Sequence, residues 1–391
     1  MKKIFALSLV VSAISTCVLA NEDIDMDIRA LSVLNGVSTA EAKKSLFLDA
    51  NRDAALDAIE KEFKGRISGI YVESSPTYKI VVRVKGSGTN QKRNVAVGNT
   101  VAKENLPIEI QYGATETREA GRAQINNVSK LVKTYFNTVQ SYAYDERTGA
   151  IVVSVKGKET AENLKKVDAI KMAWNNLNLP LEFKFVNWTI KPLVDAHGGS
   201  FVVDKSQAPT YYDCTTAFGI KDSAGKKYMS TAAHCPNNFE DKQNGTKYSF
   251  VGEIPFNQEN DFQWNSTAAT ITNKFYVGPS TTRTLTGRRT LGATKVGDQV
   301  CHYGVATGYS CGKVEEVATK VGDPNFPGDF WVRVSTNTCG ASDSGGPVFT
   351  VSTIASGILS LGLMDDQSGA CQGYYYVPTD KIYENGFSFV Y

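Results

Sequence analysis

Three histidines, His197, His234 and His302, are the chain's whole supply of imidazole bases. Only such a side chain changes its charge near neutral pH without help from its surroundings. His234 stands in Ser230-Thr231-Ala232-Ala233-His234-Cys235. The small residues before it let a strand pack closely, and Cys235 can staple the segment. A histidine beside a cysteine also fits a purely structural role. Ser344 stands in Cys339-Gly340-Ala341-Ser342-Asp343-Ser344-Gly345-Gly346-Pro347-Val348. Glycines after a serine permit a sharp turn that leaves the hydroxyl presented and makes room for an approaching backbone. Consecutive amides around such a turn can converge on one point and stabilise a developing negative charge. A Gly/Ser-rich surface loop is the plain alternative, and His234 upstream in the same region weighs against it. Between the two lies Asp261, in Glu259-Asn260-Asp261-Phe262-Gln263-Trp264. An acid followed by alternating apolar residues suits a strand that turns the carboxylate inward. Glu259 is the nearest competitor and lacks the apolar run directly after it. A serine becomes a strong nucleophile only when a base takes its proton and a third group fixes the base's tautomer. His234, Asp261 and Ser344 supply those three parts.

The elements that must position them differ between the two halves of the chain. Of 33 glycines, 23 follow His197, so turns concentrate there. The texture after His197 is short β-type segments broken by Gly, Asn, Ser and Thr, with helical periodicity only in the last fifteen residues. Many short strands with frequent turns imply a sandwich or barrel, and this length suffices for two small barrels.

The front half alternates helix-like and strand-like stretches. Ser38-x-x-Glu41 is a capping-box pattern opening a helix expected to run to about Phe63. Gly69 to Gly86 alternates around a break at Ser74-Ser75-Pro76-Thr77, a hairpin pattern. A second helix is expected from about Glu116 to Phe136, then a hairpin turning near Arg147-Thr148-Gly149. IVVRVKG at 80–86 and IVVSVKG at 151–157 suggest a duplicated helix-plus-hairpin unit, or two unrelated Val-rich strands. A last helix, about Glu159 to Asn176, and a strand near Leu181 to Val186 complete this α+β region. The join between the halves is expected near Lys191 to Gly199.

TAAHC, NDFQW and SDSGGP, in that order and spacing, resemble the chymotrypsin-fold serine proteases. Val300-Cys301-His302-Tyr303-Gly304-Val305-Ala306-Thr307-Gly308-Tyr309-Ser310-Cys311-Gly312 is similar to the VCxxGxxTGxxCG strand of the bacterial branch with α-lytic protease and the streptogrisins. DIRALSVLNGVSTAEAKKSL and the segment ending VDAHGG resemble that branch's pro-regions, so the likeness covers nearly the whole chain. It implies an all-β, trypsin-like catalytic domain of two six-stranded antiparallel barrels at 195–391. An α+β pro-region at 21–194 would precede it, assisting folding and then inhibiting. The implied activity is that of a serine endopeptidase working through an acyl-enzyme: His234 as general base then acid, Asp261 orienting it, Ser344 attacking. The amides of Ser342 and Ser344 would form the oxyanion hole. Ser360-Leu361-Gly362 would pair with substrate backbone, with Asn337 and Thr338 at the pocket base. The implied disulfides are Cys214–Cys235, Cys301–Cys311 and Cys339–Cys371; the residues alone leave every pairing of the six open.

Two positions depart from that family. Ser342 stands where glycine is usual, and a side chain there is costly if the backbone needs a positive φ. His302 stands where the bacterial branch carries arginine; a protonated His302 is expected to partner Asp343, the alternative being a surface histidine shorter than arginine. No acid falls at the expected pocket base, and Leu359 occupies the place of the histidine of glutamate-specific relatives. A neutral or apolar residue before the scissile bond is therefore expected.

Bulk properties narrow the partners. With a formal net charge of +2 and no basic run, nothing points to nucleic acid or an acidic membrane. Lys2 and Lys3, the apolar stretch from Ile4 to Ile14 and Val18-Leu19-Ala20 form an export signal at 1–20, cut near Ala20. Cys17 as an acylated lipoprotein cysteine is the rival, poorly served by Thr16 before it. A secreted protein, extracellular or periplasmic, is expected, acting as a monomer on protein or peptide substrates. Export leaves six cysteines, an even number that favours disulfides. No C-x-x-C pair occurs, so no metal and no cofactor is expected. A catalytically weak or masked homologue acting as a secreted binding protein is the competing reading. An esterase is disfavoured by the lack of a G-x-S-x-G elbow.

Overall fold

The computed structural model describes residues 24–99, 102–175, 178–192, 202–203, 213–242, 245–255, 259–350 and 353–391. The export signal lies outside the described residues, as do residues 193–199 of the join expected near Lys191 to Gly199, His197 among them.

The back half is β-rich, as the turn density required. Six strands close into a barrel: Gln299–Gly304, Gly308–Val321, Trp331–Ser335, Cys371–Pro378, Ile354–Asp365 and Pro347–Thr350, the last pairing back onto the first. Val300, Val314, Val332, Val334, Val348, Leu359, Tyr374 and Tyr376 fill its interior. The second sheet orders eight short strands, including Lys227–Thr231, Phe262–Ser266 and the terminal Ser388–Phe389. Its core is aromatic, with Phe218 packed edge-on against both Phe275 and Phe389.

The front half holds two similar units. In the first, Ile67–Glu73 and Lys79–Lys85 form the hairpin, and Lys79–Lys85 pairs in parallel with Lys103–Ala114. In the second, Val139–Tyr144 and Ile151–Lys156 form the hairpin, and Ile151–Lys156 pairs in parallel with Leu181–Val186. The similar Val-rich strands are thus the central strands of equivalent three-strand arrangements, as a duplication predicts. Differences from expectation have local causes. Ser38 caps the first predicted helix, accepting from Glu41 N at 3.2 Å, but the helix splits into Thr39–Ala50 and Asp53–Glu62. At the break Asn51 donates to the Phe47 carbonyl and Arg52 turns wholly inward. The second splits at Gln124 into Arg118–Ala123 and Ile125–Val132. A helix over 24–35 and the hairpin Gln91–Gly98 with Lys103–Ala114 were not expected; Gln91–Gly98 is largely exposed and carries little apolar pattern.

Three of the contacts that join the halves bear most on the site. Val139–Tyr144 pairs with the end of Gly308–Val321, so the second front unit extends the barrel sheet. Trp188–Pro192 pairs antiparallel with Ile354–Asp365. The third is a buried ionic cluster. Arg52 holds Asp298 with two bonds of 2.7 and 2.8 Å, and reaches Asp49 at 2.9 Å and Tyr78 Oη at 2.9 Å. Arg289 closes the ring on Asp49 at 2.8 Å and Asp298 at 3.2 Å. Two guanidinium groups and two carboxylates balance in charge, which is what makes burial tolerable.

Burial pushes Asp49 upward, but Arg289 and Arg52 outweigh it and hold its carboxyl below the usual range. A carboxylate held down in the folded state contributes stability above its ordinary pKa and loses it as pH falls through the lowered value. Arg52→Met is expected to cost about 3–5 kcal/mol at neutral pH. Urea denaturation checks this: the midpoint falls, and the gap from the parent narrows in strong acid. An unchanged midpoint contradicts it.

Candidate active site

His234 follows the strand Lys227–Thr231, and Asp261 immediately precedes Phe262–Ser266. Those strands pair antiparallel with Thr231 opposite Gln263, which brings the end of one beside the start of the other. His234 Nδ1 lies 2.8 Å from Asp261 Oδ2, and His234 N donates to Oδ1 at 3.0 Å. An ionised carboxylate only accepts, so this contact assigns the ring proton to Nδ1 and leaves Nε2 with a lone pair. Asp261 is fully buried. Burial alone would raise it, but His234, the Ser360 hydroxyl and the His234 amide together lower it. Behind the pair, Gln263 Nε2 donates to the Cys235 carbonyl at 3.3 Å and to Asn237 at 2.7 Å.

Ser344 sits in the turn before Pro347–Thr350. The glycine after it is obligatory here: a Cβ on Gly345, at φ +82°, would meet Thr231 Oγ1 at 2.0 Å and the Thr215 carbonyl at 2.2 Å. Ser344 Oγ donates to the Ser360 carbonyl at 3.2 Å. His234 Nε2 is buried without a hydrogen-bond partner among the described residues. The structure therefore brings serine, histidine and aspartate into one site but does not close the serine–histidine bond. Such bonds often tighten only with substrate bound.

Ser342 lies at φ +74°, in the left-handed region where a Cβ is disfavoured. The departure noted in sequence is thus real strain in this backbone. His302 does not do what was expected of it. It is fully buried, packs edge-on against Tyr374 at 5.0 Å, and neither ring nitrogen has a partner among the described residues. Burial pushes its pKa down to about 4, which favours the neutral ring. Asp343 is held instead by the amides of Ala306, Thr307 and Gly340 and by the Thr307 hydroxyl. The imidazole, shorter than a guanidinium, turns into the apolar core, and the proposed His302–Asp343 pair is not formed.

Of the strand expected to take substrate, Ser360 turns its hydroxyl onto Asp261 Oδ2, a role the sequence reading did not assign. Leu361 and Gly362 pair with Pro192 and Lys191 of the front half. Asn337 is exposed and accepts from Thr338 Oγ1 at 3.1 Å. Thr215 was also missed: its hydroxyl donates to the Ser342 carbonyl at 2.7 Å and accepts from Val305 N at 3.1 Å. A threonine in Cys214-Thr215-Thr216 gives no sequence signal for this. The structure contains the disulfides Cys214–Cys235, Cys301–Cys311 and Cys339–Cys371. The first anchors the segment carrying His234, and the last ties the approach to Ser344 to the strand Cys371–Pro378. No group of side chains suited to a metal ion occurs among the described residues.

A closed barrel whose Ser344 turn meets the His234–Asp261 pair of the second sheet defines a protease of the chymotrypsin fold. The chain is 30% identical over 174 residues to serine protease 2 of Streptomyces fradiae, a stretch covering 41% of this chain and 89% of that protein. It belongs to the bacterial chymotrypsin-fold serine proteases and is a serine endopeptidase. No family model matches the chain. Among solved structures it is similar to the Nocardiopsis protease, at 21% identity and TM-score 0.40, covering 49% of this chain and 98% of that one. Thermobifida fusca protease A is similar at 23% identity and TM-score 0.39, over 49% and 97%.

Ser342→Gly removes a Cβ from the left-handed position, worth about 1 kcal/mol of strain. Peptidase activity is expected to stay equal or rise, read as kcat/KM on a peptide nitroanilide. A severe loss contradicts the strain reading.

Proposed function

We propose that the protein is a secreted serine endopeptidase made as a pro-enzyme, with His234, Asp261 and Ser344 as its triad. The observation that carries the reading is the Asp261–His234 pair at 2.8 Å, with Nε2 bare beside the Ser344 turn. His234 Nε2 takes the Ser344 hydroxyl proton as Oγ attacks the substrate carbonyl, forming a tetrahedral oxyanion. The amides of Ser342 and Ser344 stabilise that charge. Collapse expels the amine, which leaves with the proton from His234, and water then releases the acyl group by the same route in reverse roles. Asp261 keeps the imidazole in the required tautomer throughout.

Residues 195–391 are the catalytic domain in this reading, 1–20 the export signal, and 21–194 a pro-region. Support for the last comes from Trp188–Pro192, which lies along Leu361–Asp365, the edge a substrate strand would use. Adding a strand to an open edge is a general mode of peptide recognition, so the front half would block substrate until cut away. Asn337 and Thr338, uncharged, would border a pocket for a neutral or apolar residue before the scissile bond. The enzyme would act as a monomer outside the cytoplasm.

The masked binding protein is the second reading, favoured by the same covered edge and by the strained Ser342. A fluorophosphonate probe separates them. Labelling that Ser344→Ala abolishes, with a new N-terminus between 194 and 200, is expected. No labelling at any stage contradicts the protease reading.

A further inference from the structure

Asp343 presents an unusual problem, because its carboxyl is completely buried directly beside Ser344. A buried carboxylate ordinarily needs a cation or a full set of donors. No cation pairs with it among the described residues; its contacts are four donors. Oδ1 accepts from Ala306 N at 2.9 Å and Thr307 N at 3.2 Å. Oδ2 accepts from Thr307 Oγ1 at 2.6 Å and Gly340 N at 2.9 Å. Burial still pushes Asp343 above the usual carboxylate range, against the pull of these donors.

Three of the four donors come from one place. Ala306 and Thr307 form the tip between strands Gln299–Gly304 and Gly308–Val321, where Gly304 pairs with Gly308. Cys301–Cys311 staples that hairpin near its tip. Gly304 makes the approach possible, since a Cβ there would stand 2.0 Å from Asp343 Oδ1. The same tip reaches the oxyanion loop a second way, through Val305 N, the Thr215 hydroxyl and the Ser342 carbonyl. Asp343 N in turn donates to the Gly340 carbonyl at 3.1 Å, and Gly346 N to the Asp343 carbonyl at 2.9 Å. The carboxylate is the peg on which the turn from Gly340 to Gly346 is wound.

We propose that Thr307 is a positioning residue for the reaction: its hydroxyl and amide, with the neighbouring amides, do the work of a cation in holding Asp343 and so fix the strained Ser342 backbone that presents the oxyanion amides. The inference rests on the reading of Ser344 as nucleophile. Thr307 touches no reacting atom and acts only through Asp343. Loss of its hydroxyl leaves one carboxylate oxygen short of a donor and the Ser342 conformation free to relax. Oxyanion donors act in the transition state and little in the ground state, so the effect falls on kcat.

The test compares Thr307→Val, Thr307→Ala and Thr307→Ser, each made from the full chain and purified as the processed enzyme. On a peptide nitroanilide, Thr307→Val and Thr307→Ala are expected to lower kcat by about ten- to a hundredfold. KM should stay within about twofold, and Thr307→Ser should keep kcat within about threefold by restoring the hydroxyl. Should Thr307→Val fail to accumulate, Thr307→Ala decides by the same readout. Wild-type kcat in Thr307→Ala, or an equal fall in Thr307→Ser, overturns the proposal. Fluorophosphonate labelling of the wild-type enzyme keeps the two questions apart. Absent labelling overturns the nucleophile reading and this proposal with it, whereas labelling with an unaffected Thr307→Ala overturns this proposal alone.

Discussion

The strand Ile354–Asp365 is the constraint on which the other parts depend. Along one side it pairs with Cys371–Pro378 for most of its length. Its other side is shared: Pro347–Thr350 covers the stretch from Ile354 to Ile358, and Trp188–Pro192 covers Leu361 to Asp365. Between them stands Ser360, whose carbonyl accepts from the Ser344 hydroxyl and whose own hydroxyl donates to Asp261. One strand therefore meets the Ser344 turn, the carboxylate behind His234 and the front half. On that second side the barrel supplies no partner for Leu361–Asp365 among the described residues, and an unpaired sheet edge invites a strand. In the proposed reading the front half fills that edge first and a substrate fills it later.

Holding a strand of five residues on an edge is a weak constraint alone. The remaining contacts between the halves make it definite. Val139–Tyr144 carries the barrel sheet into the second front unit, fixing the origin of the segment that ends in Trp188–Pro192. On the far side, Arg52 reaches Asp298 from the first front unit. Backbone pairing tolerates many sequences, whereas a buried four-charge ring requires both partners in one geometry. The ring thus contributes selectivity for this docked arrangement, and the sheet contacts contribute reach.

Much of this was legible in the residues. Ser230 to Cys235 and Cys339 to Val348 stood out as segments to be brought together because they set particular residue types next to particular turn residues. Ser342 could be flagged because the positive φ of its turn is a local property of the backbone, and the structure holds it at +74°. The duplicated hairpins were legible because Val-rich central strands carry a repeated pattern. What stayed hidden depends on distant segments meeting. Arg52 reads as an ordinary helical cation until Asp298 lies beside it, and its turn inward is what broke the expected helix. His302 was read by position as a stand-in for arginine; the side chain's length and the apolar core around Tyr374 decided otherwise. Thr215, Thr307 and Ser360 act here through hydroxyls, which sequence rarely distinguishes from those of exposed residues.

The most direct measurement is a time course on the full-length chain with a fluorophosphonate probe, following by mass spectrometry both the labelling of Ser344 and the separation of the front half. Joined chains are expected to label slowly and separated catalytic domains fast, with every adduct on Ser344. Equal labelling rates before and after separation would contradict the claim that the front half covers the edge of Ile354–Asp365. Adducts on any other serine would contradict the triad itself.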